Sequence, residues 1–124
     1  MRNQVSIIIS SHNEAQNLHK NIPFILNQQN VDFELIIVND RSTDNTNEVV
    51  HSFKASQIKL LKITELPLGL SGKKNAITEA IKIAKFKNLL FTDADCKPNS
   101  ELWAFEMILE LDQKDLVLGM SQYE

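Results

Sequence analysis

Apolar and polar positions fall along this chain in blocks of two kinds. Val5–Ser10 (VSIIIS), Phe33–Val38 (FELIIV), Ile58–Ile63 (IKLLKI), Asn88–Thr92 (NLLFT) and Leu116–Leu118 (LVL) are short runs rich in β-branched residues and leucine. They are too short for buried helices and read as strands, the most continuously apolar of them as strands covered on both faces. Between them, apolar residues recur at helical spacing. Leu18, Ile22, Ile25 and Leu26 form one such set, and Val49, Val50 and Phe53 a second. Ala76, Ile77, Ala80, Ile81 and Ala84 form a third, and Leu102, Phe105, Met107, Ile108 and Leu111 a fourth. Pro23 inside the first set predicts a bend or an early turn. Ser42, Thr43 and Asp44 are N-cap residues for the second helix, Ser71-Gly72 opens the third, and Pro98-Asn99-Ser100 opens the fourth. Alternating strands and helices imply right-handed crossovers. The expected architecture is therefore α/β, a mostly parallel, Rossmann-like sheet flanked by helices on both faces. With 124 residues and no repeat, low-complexity stretch or linker, the chain reads as a single domain spanning 1–124.

That architecture carries a functional consequence. The C-terminal ends of parallel strands share one edge of the sheet, where ligands bind near the reversal of strand order. Three polar clusters follow strands directly: Ser10 to Glu14, Asn39 to Ser42, and Thr92 to Cys96. The topology brings all three to that edge.

Asp93 and Asp95 are the sharpest pair within them. Two carboxylates this close repel unless a cation lies beside them, and a hard divalent ion, Mg2+ or Mn2+, held by oxygen ligands serves. Such an ion would also bind diphosphate oxygens. The other reading is that one aspartate caps the next helix and its neighbour is solvated. Asp40 either accepts a hydrogen bond from a sugar hydroxyl or base N–H, or closes an Asx-turn. Lys73 and Lys74, at a helix start, either hold a phosphate or are a solvated helix end. Gly69-Leu70-Ser71-Gly72-Lys73-Lys74 departs from the Walker pattern in glycine spacing and in Lys74, which stands where Ser or Thr is required. His12 suits stacking or metal binding, or is a plain loop residue. Cys96 has no histidine partner by motif and is not read as a nucleophile.

Charge and composition narrow the classes. A formal net charge of -3 gives no broad cationic field, so nucleic acid is not an expected partner and any anion must be held locally. Hydrophobic residues make up 43% and charged residues 23%, enough for a packed core on a soluble chain. A single cysteine forms no internal disulfide and reads as cytoplasmic. No apolar run spans a bilayer, so any membrane association is expected outside this chain, including on the cytoplasmic face.

Taken in order, VSIIISSHNE, FELIIVNDRSTDNT, GLSGKKNAITEAI and NLLFTDADCKP resemble the family 2 glycosyltransferases of the GT-A fold. The resemblance runs from Val5 to about Pro98, and LVLGMSQY looks like the strand that follows in that family. It implies transfer of a sugar from a nucleotide-diphosphate-sugar donor to an acceptor hydroxyl, inverting and metal-assisted, in cell wall or polysaccharide biosynthesis. The acceptor would be a glycan, a lipid-linked saccharide or a protein. Ser11-His12-Asn13-Glu14 matches the loop lining the nucleoside, with Ser11, His12 and Glu14 as its candidate contacts, and an aromatic often stands at the position of His12. Asp40 matches the second aspartate of the family's Asp-Asp pair, Asn39 replacing the first. Arg41 stands where glycine is usual. Lys74-Asn75 resembles the family's Arg-Asn near the phosphates. Asp93-Ala94-Asp95 matches the Asp-x-Asp motif, Asp95 as metal ligand and Asp93 approaching the donor sugar and metal. The family's general base lies downstream of that motif. The expectation is that this chain is the nucleotide-sugar-binding part of a longer catalytic domain, lacks that base, and is inactive alone.

Two other classes remain. A haloacid-dehalogenase-like phosphotransfer domain also uses Asp-x-Asp after a strand, but on its first strand and with a threonine-like residue next. A non-catalytic domain binding a nucleotide or a partner protein is the third reading.

Overall fold

The computed structural model of the chain describes residues 3–111 and the strand Gln122–Tyr123. The order is β1 (Gln4–Ser11), α1 (Ala15–Leu26), β2 (Asp32–Asp40), α2 (Thr46–Ser52), β3 (Ile58–Ile63), α3 (Gly72–Ile83), β4 (Leu89–Asp93), β5 (Cys96–Lys97), α4 (Trp103–Leu111) and β6 (Gln122–Tyr123). β1 to β4 form one parallel sheet in the order β3-β2-β1-β4. The sheet grows outward through β2 and β3, then the chain crosses back through α3 to place β4 on the other side of β1. The order therefore reverses at β1, the central strand. β5 and β6 form a separate antiparallel pair, Cys96 opposite Tyr123.

Period-two alternation divides the core. Val5, Ile7 and Ile9 of β1, with Phe33, Leu35 and Ile37 of β2, pack on Leu18, Ile22 and Ile25 of α1, Val50 of α2, and Trp103, Ala104 and Ile108 of α4. Ile8, Ile36 and Val38 pack on Ala76 and Ala80 of α3. Both sheet faces are covered, which is why the central strands read as continuous apolar runs. The alternation also sends Asn39 toward α1 and α2, and Asp40 toward α3.

Pro23 lies within α1, on its exposed side. Two local expectations change. The fourth helix begins at Trp103, after the turn through Pro98–Ser100, because Ser100 Oγ accepts from Leu102 N–H (3.1 Å) and holds the turn. Two-residue β5 is an addition to the expected elements, too short to give any periodic signal. The strand predicted at Leu116–Leu118 lies outside the described residues.

Candidate functional site

The loops after β1 and β2 are laced together at the C-terminal edge. Asn13 takes the left-handed conformation (φ 55°), which asparagine tolerates. Its N–H donates to Ser42 Oγ (2.9 Å), and its Oδ1 accepts from Thr43 N–H (2.7 Å) and Asp44 N–H (3.3 Å). α1 begins at Glu14 without a side-chain cap of its own. Asp44 supplies one from the other loop, Oδ2 accepting from Ala15 N–H at 3.1 Å. Its Oδ1 accepts from Thr46 N–H (3.2 Å) and the Thr46 hydroxyl at the start of α2. One carboxylate thus satisfies the first turns of two helices. The Thr46 hydroxyl is the largest cause holding the Asp44 carboxyl below its usual range, with the two backbone donors adding to it against burial.

Ser11 is buried, and its hydroxyl donates to the Val38 carbonyl (2.9 Å), tying β1 to β2. His12 is exposed; its Nδ1 lies 2.6 Å from the Asp40 carbonyl oxygen, so Nδ1 carries the proton and donates. Glu14 turns to Asn17 in its own helix (3.4 Å) and meets none of the other predicted site residues through a hydrogen bond.

Asp40 is 5% exposed. Both of its oxygens accept from the neighbouring Arg41, Nε to Oδ1 at 2.9 Å and Nη2 to Oδ2 at 3.3 Å. This bond holds the Arg41 guanidinium above its ordinary pKa. Arg41 is itself left-handed, with φ 54°. Gly72, the first residue of α3, lies against the pair. A Cβ there would sit 2.7 Å from Asp40 Oδ2 and 2.9 Å from Arg41 Nη2, so any other residue at this position would have to push the ion pair aside.

α3 is capped by Ser71, whose Oγ accepts from Lys74 N–H (3.2 Å). Lys73 and Lys74 are both exposed in its first turn. Lys73 Nζ bonds Asp93 Oδ1 at 3.0 Å. Asp93 ends β4 level with Ser10 of β1, on the same face as Asp40. The two carboxylates therefore lie on strands either side of β1, both toward the start of α3. Asp93, Asp95 and Cys96 bring one ligand atom each to within 4.8 Å of one another. The donor set fits a hard divalent cation through its two carboxylates; the buried Cys96 thiol rests on Asp95 Oδ1 at 3.6 Å. Asn21 of α1 fixes the turn from behind, Nδ2 donating to the Ala94 carbonyl at 2.9 Å.

The edge therefore joins His12 to Asp40, and Asp93 to Asp95 and Lys73. Sequence reasoning passes over Asn21, and it names Asn13 and Gly72 only as a loop residue and a helix start, without the lacing of the first or the contact of the second with Asp40. An asparagine between a strand and a helix is the available signal for Asn13, since it favours positive φ. No sequence signal ties Asn21 to Ala94. Among the described residues no helix is long and apolar enough to cross a membrane.

The model of a family described as Glycosyl transferase family 2 matches residues 6–123. Poly-beta-1,6-N-acetyl-D-glucosamine synthase of Staphylococcus epidermidis is 32% identical over 91 residues, covering 73% of this chain and 21% of that protein. An Escherichia coli UDP-Glc:alpha-D-GlcNAc-diphosphoundecaprenol beta-1,3-glucosyltransferase is 36% identical over 91 residues, covering 73% of this chain and 34% of that one. The chain thus spans about a fifth to a third of the length of these relatives. Among solved structures, S. aureus TarS (residues 1–349) superposes with a TM-score of 0.71 at 24% identity, over 90% of this chain and 33% of that one. A Pyrobaculum calidifontis mannosyltransferase in complex with GDP-Man and Mn2+ gives 0.67 at 24% identity, over 78% and 29%. These two likenesses show the fold, a GT-A one.

Proposed function

This chain belongs to glycosyl transferase family 2, and we propose that its strand-end site binds the nucleotide-diphosphate-sugar donor and the divalent cation of an inverting glycosyltransferase. The convergence of Asp93 and Asp95 at the end of β4, beside the start of α3, carries this reading. Asp95, with Asp93, would hold Mg2+ or Mn2+. When bound, the ion neutralises charge developing on the diphosphate leaving group. Lys74 and the α3 N-terminal amides favour phosphate oxygens. Asp40 accepts from the base or ribose, His12 stacks beside it, and Ser11 and Glu14 shape the loop. Asp93 also approaches the donor sugar.

These assignments use Asp40, Asp93 and Asp95 for donor and metal, while Asp44 is engaged in capping α1 and α2. Activation of the acceptor hydroxyl, which requires a general base, is left to a group outside them. The 124 residues are accordingly one donor-binding domain within a longer transferase, inactive in isolation. The acceptor class is a glycan or a lipid-linked or protein acceptor, as the names of the relatives support. A cytoplasmic setting fits the lone cysteine. The pair's position on β4 instead of the first strand weighs against a dehalogenase-like phosphotransfer site.

Thermal-shift titration with UDP and GDP, with and without Mn2+, tests this. A metal-dependent rise is expected, about 2.7 kcal/mol of stabilisation at ligand one hundredfold above Kd. Asp95→Ala should abolish the metal-dependent part while leaving the ligand-free stability within about 0.5 kcal/mol. Absence of any shift in the folded chain defeats the reading.

A further inference from the structure

Arg41 is held in a conformation that suits glycine, and what it gains there is a two-pronged bond to the carboxylate of Asp40. Three further features bear on that bond. The Asp40 carboxylate has almost no exposed face, its side chain being 8% accessible. Gly72 lies against it from the α3 side, so close that a Cβ would meet Asp40 Oδ2 at 2.7 Å. The Arg41 side chain, in contrast, is 38% accessible, and the residue lines an open hollow of about 320 Å3 together with Ser42, Asn47, Lys62 and Thr64. One partner of the pair is fixed and the other has somewhere to go.

We propose that Arg41 is a displaceable plug on Asp40, so that a ligand's base or ribose reaches that carboxylate only by pushing the guanidinium aside into the hollow. The proposal rests on the donor-site reading above. Both Asp40 oxygens already accept from Arg41, and burial of the carboxylate, with Gly72 against it, closes the approach to the lone pairs that the fork leaves over. Binding through Asp40 therefore carries the cost of opening the ion pair, and Arg41 weakens the hold on the nucleoside while leaving the diphosphate end untouched. Arg41 is in this sense an affinity-setting residue whose effect runs opposite to that of a contact residue.

The experiment compares the 124-residue chain with Arg41→Gly and Arg41→Asn by calorimetric titration. The probes are UDP, GDP and inorganic pyrophosphate, each with Mn2+. Glycine and asparagine both accept the left-handed backbone, so two independent variants remove the plug without straining the turn. Expected is about two- to fivefold tighter binding of whichever nucleoside diphosphate the chain prefers, the fold-change equivalent to a partly exposed ion pair. Pyrophosphate binding should not move. Unchanged or weaker nucleoside diphosphate binding in both folded variants, with pyrophosphate binding intact, overturns the plug and leaves the donor site standing. If the unsubstituted chain binds neither nucleoside diphosphate nor pyrophosphate with Mn2+, the donor reading fails and this proposal falls with it.

Discussion

Glu34 and Asp40 lie on the same strand and the same face of it, near opposite ends of β2, and both are 5% exposed. Each has a basic partner, Lys59 Nζ at 2.8 Å from Glu34 and Arg41 Nε at 2.9 Å from Asp40. Their other contacts separate them. Glu34 Oε2 also accepts from the Ser6 hydroxyl of β1 (2.5 Å) and from Lys85 N–H before β4 (2.5 Å), and Phe86 N–H in turn donates to Ser6 Oγ (3.1 Å). Among the described residues, the Asp40 carboxylate accepts hydrogen bonds only from Arg41. A carboxylate tied to two other strands and to the turn before β4 is a permanent part of the fold. One tied to a single half-exposed cation is available to something else. Strand direction decides which is which, because crossovers enter at one edge of the sheet and ligands meet it at the other.

The largest expected effect tests the permanent end. Glu34→Ala takes the acceptor from the buried Ser6 hydroxyl and from the part-buried Lys85 N–H. It should cost about 2–4 kcal/mol, as removal of one partner from a buried charged network does. In a domain of this size that lowers Tm by on the order of 10 °C. Mn2+-dependent nucleotide binding by the folded fraction should stay as it is. A loss under about 1 kcal/mol, or a specific loss of binding, would erase the contrast between the two ends.

Next in size is the lacing between the loops. Asp44→Ala removes the acceptor for Ala15 N–H of α1 and for Thr46 of α2 together, an expected loss of about 1–2 kcal/mol in chemical denaturation. Unlike Glu34→Ala, it should also weaken nucleotide binding, since it loosens the loop carrying His12. Equal nucleotide affinity in Asp44→Ala would show that the lacing serves the fold alone.

Asp44 also marks the limit of what the sequence shows. The strands, the helices and the shared edge are legible because buried parallel strands and amphipathic helices differ in period. Asp93 and Asp95 are legible as a pair because they are close in sequence. Asp44 is legible as a cap for its own helix, yet not as the cap of α1, nearly thirty residues earlier, because that bond exists only once β1 and β2 are paired. The Arg41–Asp40 fork depends likewise on a left-handed residue, which a side chain other than glycine conceals. Asn21 under Ala94 is a third such case, a helix reaching a loop brought near by sheet order.

A smaller, pH-dependent effect tests the permanent end again. Burial alone would raise the Glu34 carboxyl, but Lys59, Ser6 and the Lys85 N–H together bring it below its ordinary value of 4.5. A carboxyl lowered by folding contributes stability that is fully present above its unfolded pKa. That contribution fades as pH falls through the folded one. The stability gap between the natural chain and Glu34→Gln should therefore be constant from pH 7 down to about pH 5 and shrink below 4.5. A gap independent of pH would mean that Glu34 stabilises by shape and not by charge.

The smallest effect comes from one substitution made at both ends. Lys73 and Asp93 are 63% and 46% exposed, so water already screens their bond, and Lys73→Gln should change stability by less than about 0.5 kcal/mol. Lys59→Gln removes the same charge from a carboxylate that is 6% exposed and cannot recover it from solvent, so its cost should be distinctly larger. Because the residue type and the substitution are alike, the difference reports chiefly on burial of the acceptor, with a smaller part from the place of Lys73 in the first turn of α3. Equal costs, by paired denaturant melts, would mean that Asp93 is held by the fold no less firmly than Glu34. A carboxylate so held would be a poor candidate for a metal ligand.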